Sequence, residues 1–392
     1  MKITIFLMMI FFQVCFAQSH EGVNISQVEK MIDQKLSSKW TEKIMMKGYA
    51  QFRYNRFAET NDKLTCSSCD KSIGDKQGLF MRRARLVFFG QVNKDVFFYI
   101  QPDYASDAGT NQNYLQIRDA YFDYNFSQYS WRVRTGVSKV PFGFVNLQSS
   151  SIRAPLDRDD ALNSGAPNER DLGVFLMFAP EKIRKRFKEL AALKGSGDYG
   201  VFSFGVYNGQ SLNKKELNND LHKVVRLTYP YKLESGQFVE ASVQAYVGKY
   251  VVENLQEYDD RRQAVSLIVY PQPIGFQAEY NIGQGPEYDP SSNTVENKNL
   301  QGGYAQLNYQ MENKSGRYFP FVRFQEYQGG KKIENGALSK VNEWEIGTEW
   351  QPNSAVELTM AYAFSERTTQ SSLTNKNDQS GSLLRLQAQF NY

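Results

Sequence analysis

The chain has 392 residues, with 46 lysines and arginines against 42 aspartates and glutamates and a formal net charge of +4, too small an excess to point to nucleic acid as a partner. Aromatic residues make up 14% of it while the mean hydropathy is only -0.54. Past the first residues no apolar run approaches the roughly 18 to 20 residues of a membrane-spanning helix, so helical insertion is excluded. A polar average carrying this many aromatics fits a barrel with a wet interior and an aromatic lipid-facing girdle.

Lys2 and the apolar run from Ile3 to Phe12, continued through Val14 and Phe16 to Ala17, read as a secretory leader. Cys15 and Ala17 suit the minus-three and minus-one positions of a cut before Gln18, and Gln13 and Val14 do not suit a lipoprotein box. Residues 1–17 are therefore expected to leave as a signal peptide without a lipid anchor. In 18–46, Val23, Ile25, Val28, Ile32 and Leu36 fall at helical spacing with Glu29, Lys30, Asp33 and Lys35 between them. This predicts a short N-terminal periplasmic helix, alone or in a coiled coil.

From Lys47 the period changes to two. Ala50, Phe52 and Tyr54 face one way and Gln51, Arg53 and Asn55 the other, and the same alternation recurs to the last residue. It predicts an all-β fold, an antiparallel transmembrane β-barrel over 47–392. The strands fall near 47–58, 80–92, 94–105, 114–126, 130–140, 171–179, 199–208 and 221–231, then 237–248, 262–270, 274–283, 301–311, 317–327, 340–351, 354–365 and 382–392. That makes about 16, with the faces of 199–208 and 262–270 ambiguous. Cys66 and Cys69, in a Cys-Ser-Ser-Cys loop after the first strand, read as a loop disulfide, because neither a second ligand pair nor a nearby histidine suggests a metal.

Odd-numbered links are long (59–79, 106–113, 141–170, 209–220, 249–261, 284–300, 328–339, 366–381) and most even ones are short turns. This is the asymmetry of an outer-membrane barrel with both termini in the periplasm. One even link breaks the rule: 180–198 is long and carries Lys182, Arg184, Lys185, Arg186 and Lys188, a basic helical turn at the periplasmic rim. The chain ends Leu384, Leu386, Ala388, Phe390, Tyr392 on one face, the kind of terminal pattern that barrel-assembly machinery reads.

The segment SKVPFGFVNLQSSS (138–151), followed by NERDLGVFL (168–176), resembles the phosphate-selective porin O and P family, as do LFMRRARLVFFG (79–90) and LQIRDAYFDYNF (115–126). The resemblance is firmest over 47–180. It implies a sixteen-stranded, trimeric outer-membrane porin in which one long loop folds into the lumen and basic side chains lead anions to a constriction. By position, 141–170 would be that loop, and a thirty-residue irregular segment is uncommon unless it lines a site.

With apolar residues facing lipid, the wall of the lumen carries Arg53, Arg83, Arg85, Arg132, Arg134 and Arg323, joined by Arg226 and Arg385, a set whose guanidinium forks could pass an oxyanion along. Acids stand among them: Asp103, Asp119, Asp123, Glu240, Glu279, Glu343, Glu345, Glu349 and Glu357. The loop itself holds Arg153, Arg158 and Arg170 against Asp157, Asp159, Asp160, Glu169 and Asp171, with no lysine, which argues for a mixed eyelet over a strongly phosphate-selective one. The function expected is passive diffusion of small hydrophilic solutes with at most a moderate preference for anions such as phosphate. A surface scaffold or adhesin with a plugged lumen is the alternative. A hydrolase on a barrel would need a base near a serine, and His20 and His222, a strand-end rim residue, are poor candidates. No cofactor or metal is implied. The partners expected are outer-membrane lipid, small anions or other hydrophilic solutes, and the assembly machinery.

Overall fold

The computed structural model describes residues 43–58, 61, 63–66, 78–106, 113–253 and 255–392. The leader, the helix expected over 23–36, and Cys69 lie outside them. Cys66 takes part in a disulfide.

Among the described residues the chain forms one closed antiparallel sheet of sixteen strands. The first eight are β1 (Met45–Phe57), β2 (Gly78–Gln91), β3 (Val96–Ser106), β4 (Asn113–Phe126), β5 (Trp131–Lys139), β6 (Arg170–Phe178), β7 (Phe202–Tyr207) and β8 (His222–Lys232). The rest are β9 (Phe238–Val251), β10 (Glu257–Val269), β11 (Ile274–Asp289), β12 (Thr294–Tyr309, resuming briefly at Met311–Asn313), β13 (Gly316–Lys331), β14 (Ala337–Asn353), β15 (Val356–Gln370) and β16 (Lys376–Asn391). Each pairs with its neighbour in sequence, and β16 closes on β1 in a register running from Tyr49 opposite Asn391 to Phe57 opposite Leu383.

Burial is inverted relative to a soluble sheet. Along β8, His222, Val224, Arg226 and Thr228 point inward and are buried, while Val225, Leu227, Tyr229 and Tyr231 are exposed, the last two by more than half (52% and 54%). That is the pattern of a wall with hydrocarbon on one side and charge on the other. The face of 262–270, ambiguous in the sequence, resolves the same way: Val265 and Leu267 are exposed, and Ala264, Ser266 and Ile268 point inward. The ambiguity came from Ile268, which is apolar yet inward because it packs against Phe144, Phe187 and Tyr270.

The outer strand ends of the second half of the barrel differ from expectation in one direction. Strands β9 to β16 run on past their expected outer limits, so the links expected at 249–261, 284–300, 328–339 and 366–381 shrink to 252–256, 290–293, 332–336 and 371–375. Past the membrane a strand needs no apolar face, so the hairpin continues where the alternation fades. The short turns stay near their expected places. The exceptional even link contains a real helix, Glu181–Leu190, and β7 is only six residues long.

The seam is sealed by the last residue: Tyr392 N donates to Gly48 O at 3.0 Å and Gly48 N to Tyr392 O at 2.7 Å. A side chain at 48 would come within 2.5 Å of the Tyr392 ring, so the glycine is what lets the strand ends meet. The Phe390 and Phe52 rings add an edge-on contact at 6.3 Å across the seam. Deleting Phe390 to Tyr392 removes these contacts and, of the other strand pairs, only the end of the β15–β16 ladder, where Val356 opposes Phe390. Export should persist and barrel closure should fail, seen as loss of the heat-modifiable band from outer-membrane fractions; a normal band would refute this account of the seam.

Candidate functional site

Lys139 at the end of β5 and Arg170 at the start of β6 are register partners, so the chain between them leaves the wall and returns at one point. It carries two helical turns, α1 (Phe144–Leu147) and α2 (Asp160–Gly165). Its hydrogen bonds go to side chains on the inner face of distant strands. The N–H groups of Phe144 and Val145 donate to the Glu279 carboxylate of β11 at 2.6 and 2.7 Å, and Asp160 N donates to Gln325 of β13 at 2.9 Å. Asp159 caps α2 by accepting from Leu162 N at 2.8 Å. Phe142, Val145, Ala161 and Leu162 pack on Val224, Tyr246, Ala264, Leu300, Tyr304, Tyr327 and Val341, and Ala154 and Leu156 on Phe321 and Ala361. The inner face of β8 to β15 is thus locally apolar because this segment covers it.

Ion pairs fasten the segment across the lumen. Asp157 meets Arg53 of β1 at 3.4 Å and Arg385 of β16, bridging both strands of the seam, and its carbonyl accepts from Arg323 at 2.7 Å. Asp160 holds Lys331 and Arg367, each at 3.0 Å. Glu169 binds Arg158 at 2.8 Å, Arg118 at 3.2 Å and Arg170 at 2.7 Å, and Arg170 also reaches Asp119 at 3.0 Å. Three of the five acids counted in the sequence, Asp157, Asp160 and Glu169, are therefore engaged with cations, while Asp159 and Asp171 accept from backbone N–H groups, which the loop's own charge count could not reveal.

On the wall itself, Arg85 pairs with Asp103 at 2.9 Å, and Arg323 with Glu345 at 2.7 Å. Arg134 takes both oxygens of Asp123, at 2.8 and 2.9 Å. Arg132 stands between Asp123 and Asp198 at 3.7 and 3.6 Å, and Arg226 pairs with Glu240 at 3.1 Å. Two of the expected arginines are different. Among the described residues Arg83 and Arg153 form no ion pair. Arg83 donates to Ser150 Oγ at 2.6 Å and Arg153 to Leu156 O at 3.4 Å. Arg83 Nε and Arg153 Nε and Nη1 have no hydrogen-bond partner. Ser150 Oγ also meets Tyr49 Oη at 2.7 Å and Arg85 at 3.1 Å, so two hydroxyls and two guanidinium groups converge there.

Interior side chains that keep partial exposure lie away from the covered β8–β15 face: Tyr99, Tyr121 and Tyr199 on the wall side, and Ser149, Ser151, Ile152 and Asn163 on the segment. Tyr99 and Tyr121 stack at 5.1 Å, with the Arg134 guanidinium 3.8 Å from the centre of the Tyr121 ring. Stacked rings capped by a cation make a stiff surface. At the periplasmic end α3 (Glu181–Leu190) buries Ile183, Phe187 and Leu190 against Phe144, Phe238, Ile268 and Tyr270. The chain after it sends Lys194 to Glu349 at 2.7 Å and Ile152 O at 3.0 Å, tying this segment to the inner loop. His222, expected at the rim, is instead fully buried: its Nε2 lies 3.1 Å from Asp260, and the Tyr207 and Tyr246 rings flank it at 5.3 and 5.8 Å.

The sequence profile of the phosphate-selective porin O and P family matches residues 63–257 and 251–392. Among solved structures, the fold is similar to that of the outer membrane channel DcaP of Acinetobacter baumannii, at 17% identity and a TM-score of 0.56, over 89% of this chain and 97% of that one. It is similar also to Salmonella typhi OmpF, solved in complex with daunomycin, at 15% identity and a TM-score of 0.54, again over 89% and 97%. No curated protein sequence matches the chain.

Asp157→Asn removes a carboxylate that Arg53 and Arg385 share. A broken buried pair of this kind costs about 1–3 kcal/mol, so the midpoint of heat modification should fall by several degrees. Asp259→Asn, on the exposed face of β10, should leave it in place. Equal midpoints for Asp157→Asn and the parent would show that the bridge does not hold the segment.

Proposed function

Since the chain belongs to the phosphate-selective porin O and P family and is an outer-membrane β-barrel channel, we propose that it passes small hydrophilic solutes by passive diffusion with a moderate preference for anions. The observation that carries the preference is the pair Arg83 and Arg153, which among the described residues meet no carboxylate while each of the other expected arginines does. An oxyanion reaching Ser150 would find the Arg83 donors beside two hydroxyl groups, with Arg153 three residues further along the segment, and guanidinium stays charged at any physiological pH. Arg53, Arg85, Arg132, Arg134 and Arg323 act mainly by holding the inner segment and wall together. Arg158, Arg170, Asp157, Asp159 and Asp160 fix the segment so that the remaining path runs along Tyr99 and Tyr121.

Balanced pairs elsewhere keep the field modest. Glu279, Asp159 and Asp171 accept hydrogen bonds from backbone N–H groups and meet no cation among the described residues, so they offset part of the positive excess. A mixed interior of this kind discriminates by field and size more than by tight binding. In this reading the barrel assembles as a homotrimer, Cys66 is bridged to Cys69, and no residue acts as a catalyst, His222 serving to pack the wall.

Reversal potential in a salt gradient tests the reading. The parent should sit on the anion side of zero, and the double variant Arg83→Gln, Arg153→Gln should move toward cation preference, since substitutions in the lumen tune selectivity more than insertion. An unchanged potential would place these two side chains off the conducting path. Phosphate should block chloride current only weakly in the parent, and block at submillimolar phosphate would show the balancing acids to be ineffective.

A further inference from the structure

The outer wall of β8 to β12 departs from a smooth lipid-facing belt. A groove of about 770 Å3 opens on it, lined among others by Lys223, Val225, Ala245, Val247, Arg261 and Gln263. The register explains the hollow: Ala245 on β9 stands between Val225 of β8 and Gln263 of β10, with only a methyl group to fill the space. Immediately to the extracellular side, Val247 stands between Lys223 and Arg261. A second depression of about 400 Å3 continues the groove toward mid-membrane past Leu227, Val243, Val265 and Tyr280.

The two ends of this groove differ in chemistry. Val243, Val247 and Val265 are each more than half exposed (53%, 55% and 57%), an apolar floor that only hydrocarbon suits. At the upper end Lys223 and Arg261 are exposed on the outward face. Among the described residues neither forms an ion pair, and Arg261 donates only to Gln284, at 3.0 Å from Nε. Their aliphatic stems can lie along the wall while their charged heads stay at the water boundary. From Arg261 to Val265 the strand rises about 13 Å, close to half of a hydrocarbon core roughly 30 Å thick.

We propose that this groove is a docking site for a phosphorylated, acylated glycolipid of the outer leaflet, with an acyl chain along Val225, Val243 and Val265 and a phosphate between Lys223 and Arg261. Charge complementarity selects the occupant. Two unpaired cations at the extracellular end of an apolar trough on a membrane-facing wall call for a lipid whose headgroup is anionic, and the outer leaflet of this membrane is built of such glycolipids. The site is on the outside of the barrel and is independent of conduction.

Diphosphoryl lipid A, titrated into the purified full-length protein in neutral detergent and followed by native mass spectrometry, tests the site. The parent should retain one lipid per barrel, less as salt is raised. The double variant Lys223→Gln, Arg261→Gln should bind about tenfold more weakly or worse. Ala245→Phe, which fills the groove and keeps both charges, should lose binding to a similar extent, and heat modification checks that each variant is folded. Lys340→Gln, an exposed lysine on β14, should bind as the parent does. Equal retention by parent and both groove variants would overturn the proposal. So would equally tight binding of dephosphorylated lipid A, which would reduce the site to the ordinary apolar belt. A change of oligomeric state in Ala245→Phe with lipid binding intact would also overturn it, by giving the groove to a second copy of the chain.

Discussion

Inside hydrocarbon no water is available to satisfy a backbone N–H or C=O, so a sheet that spans the membrane has to close on itself. Everything else in this molecule follows from that requirement. The closure of β16 on β1 through Gly48 and Tyr392 leaves the sheet no edge, and closure forces each strand to present one face to lipid and the other to an enclosed space. A sixteen-stranded enclosure is too wide for wall side chains alone to fill. The chain deals with the excess by turning residues 140–169 inward, where Asp157 ties the segment to both strands of the seam and Asp160 to β13 and β15.

The inner segment is amphipathic about its own path, and that gives the interior two unlike sides. Its apolar residues lie on Val224, Tyr246, Leu300 and Tyr304, so one side of the interior is sealed by packing. Its polar residues and the stacked tyrosines of β3 and β4 keep partial exposure on the other side. The arginines of the interior divide into those paired with a carboxylate and, among the described residues, those with none. Arg134 with both oxygens of Asp123 belongs to the first group, and Arg83 and Arg153 to the second.

The strand pattern was legible because alternation is imposed by lipid at every strand, and each inward arginine named from parity does point inward. Three kinds of residue escaped. Arg118 sits at a bulge, where Gln101 opposes Asp119 and Pro102 opposes Ile117, so 118 and 119 both turn inward and parity fails. Lys331, Lys332 and Arg367 were assigned to extracellular loops, but strand continues to Lys331 and past Arg367, and outside the membrane no apolar face remains to mark it. Ser150 and Tyr49 carry no charge and gave no signal, although Tyr49 shares the parity of Gln51 and Arg53. The role of the loop acids was illegible for a different reason: a one-dimensional charge count cannot show that Asp157 and Glu169 are engaged with arginines elsewhere in the chain.

The central claim is that a fixed inner segment narrows, without closing, a water path through the barrel. Single-channel recording from purified protein in a planar bilayer tests it most directly, with the parent compared to a variant in which residues 150–158 are replaced by a short glycine-serine link. The account predicts discrete parent openings of low conductance for so wide a barrel, and markedly larger openings when the segment is removed. Silence of the parent at all voltages, or equal conductance in the two proteins, would contradict it.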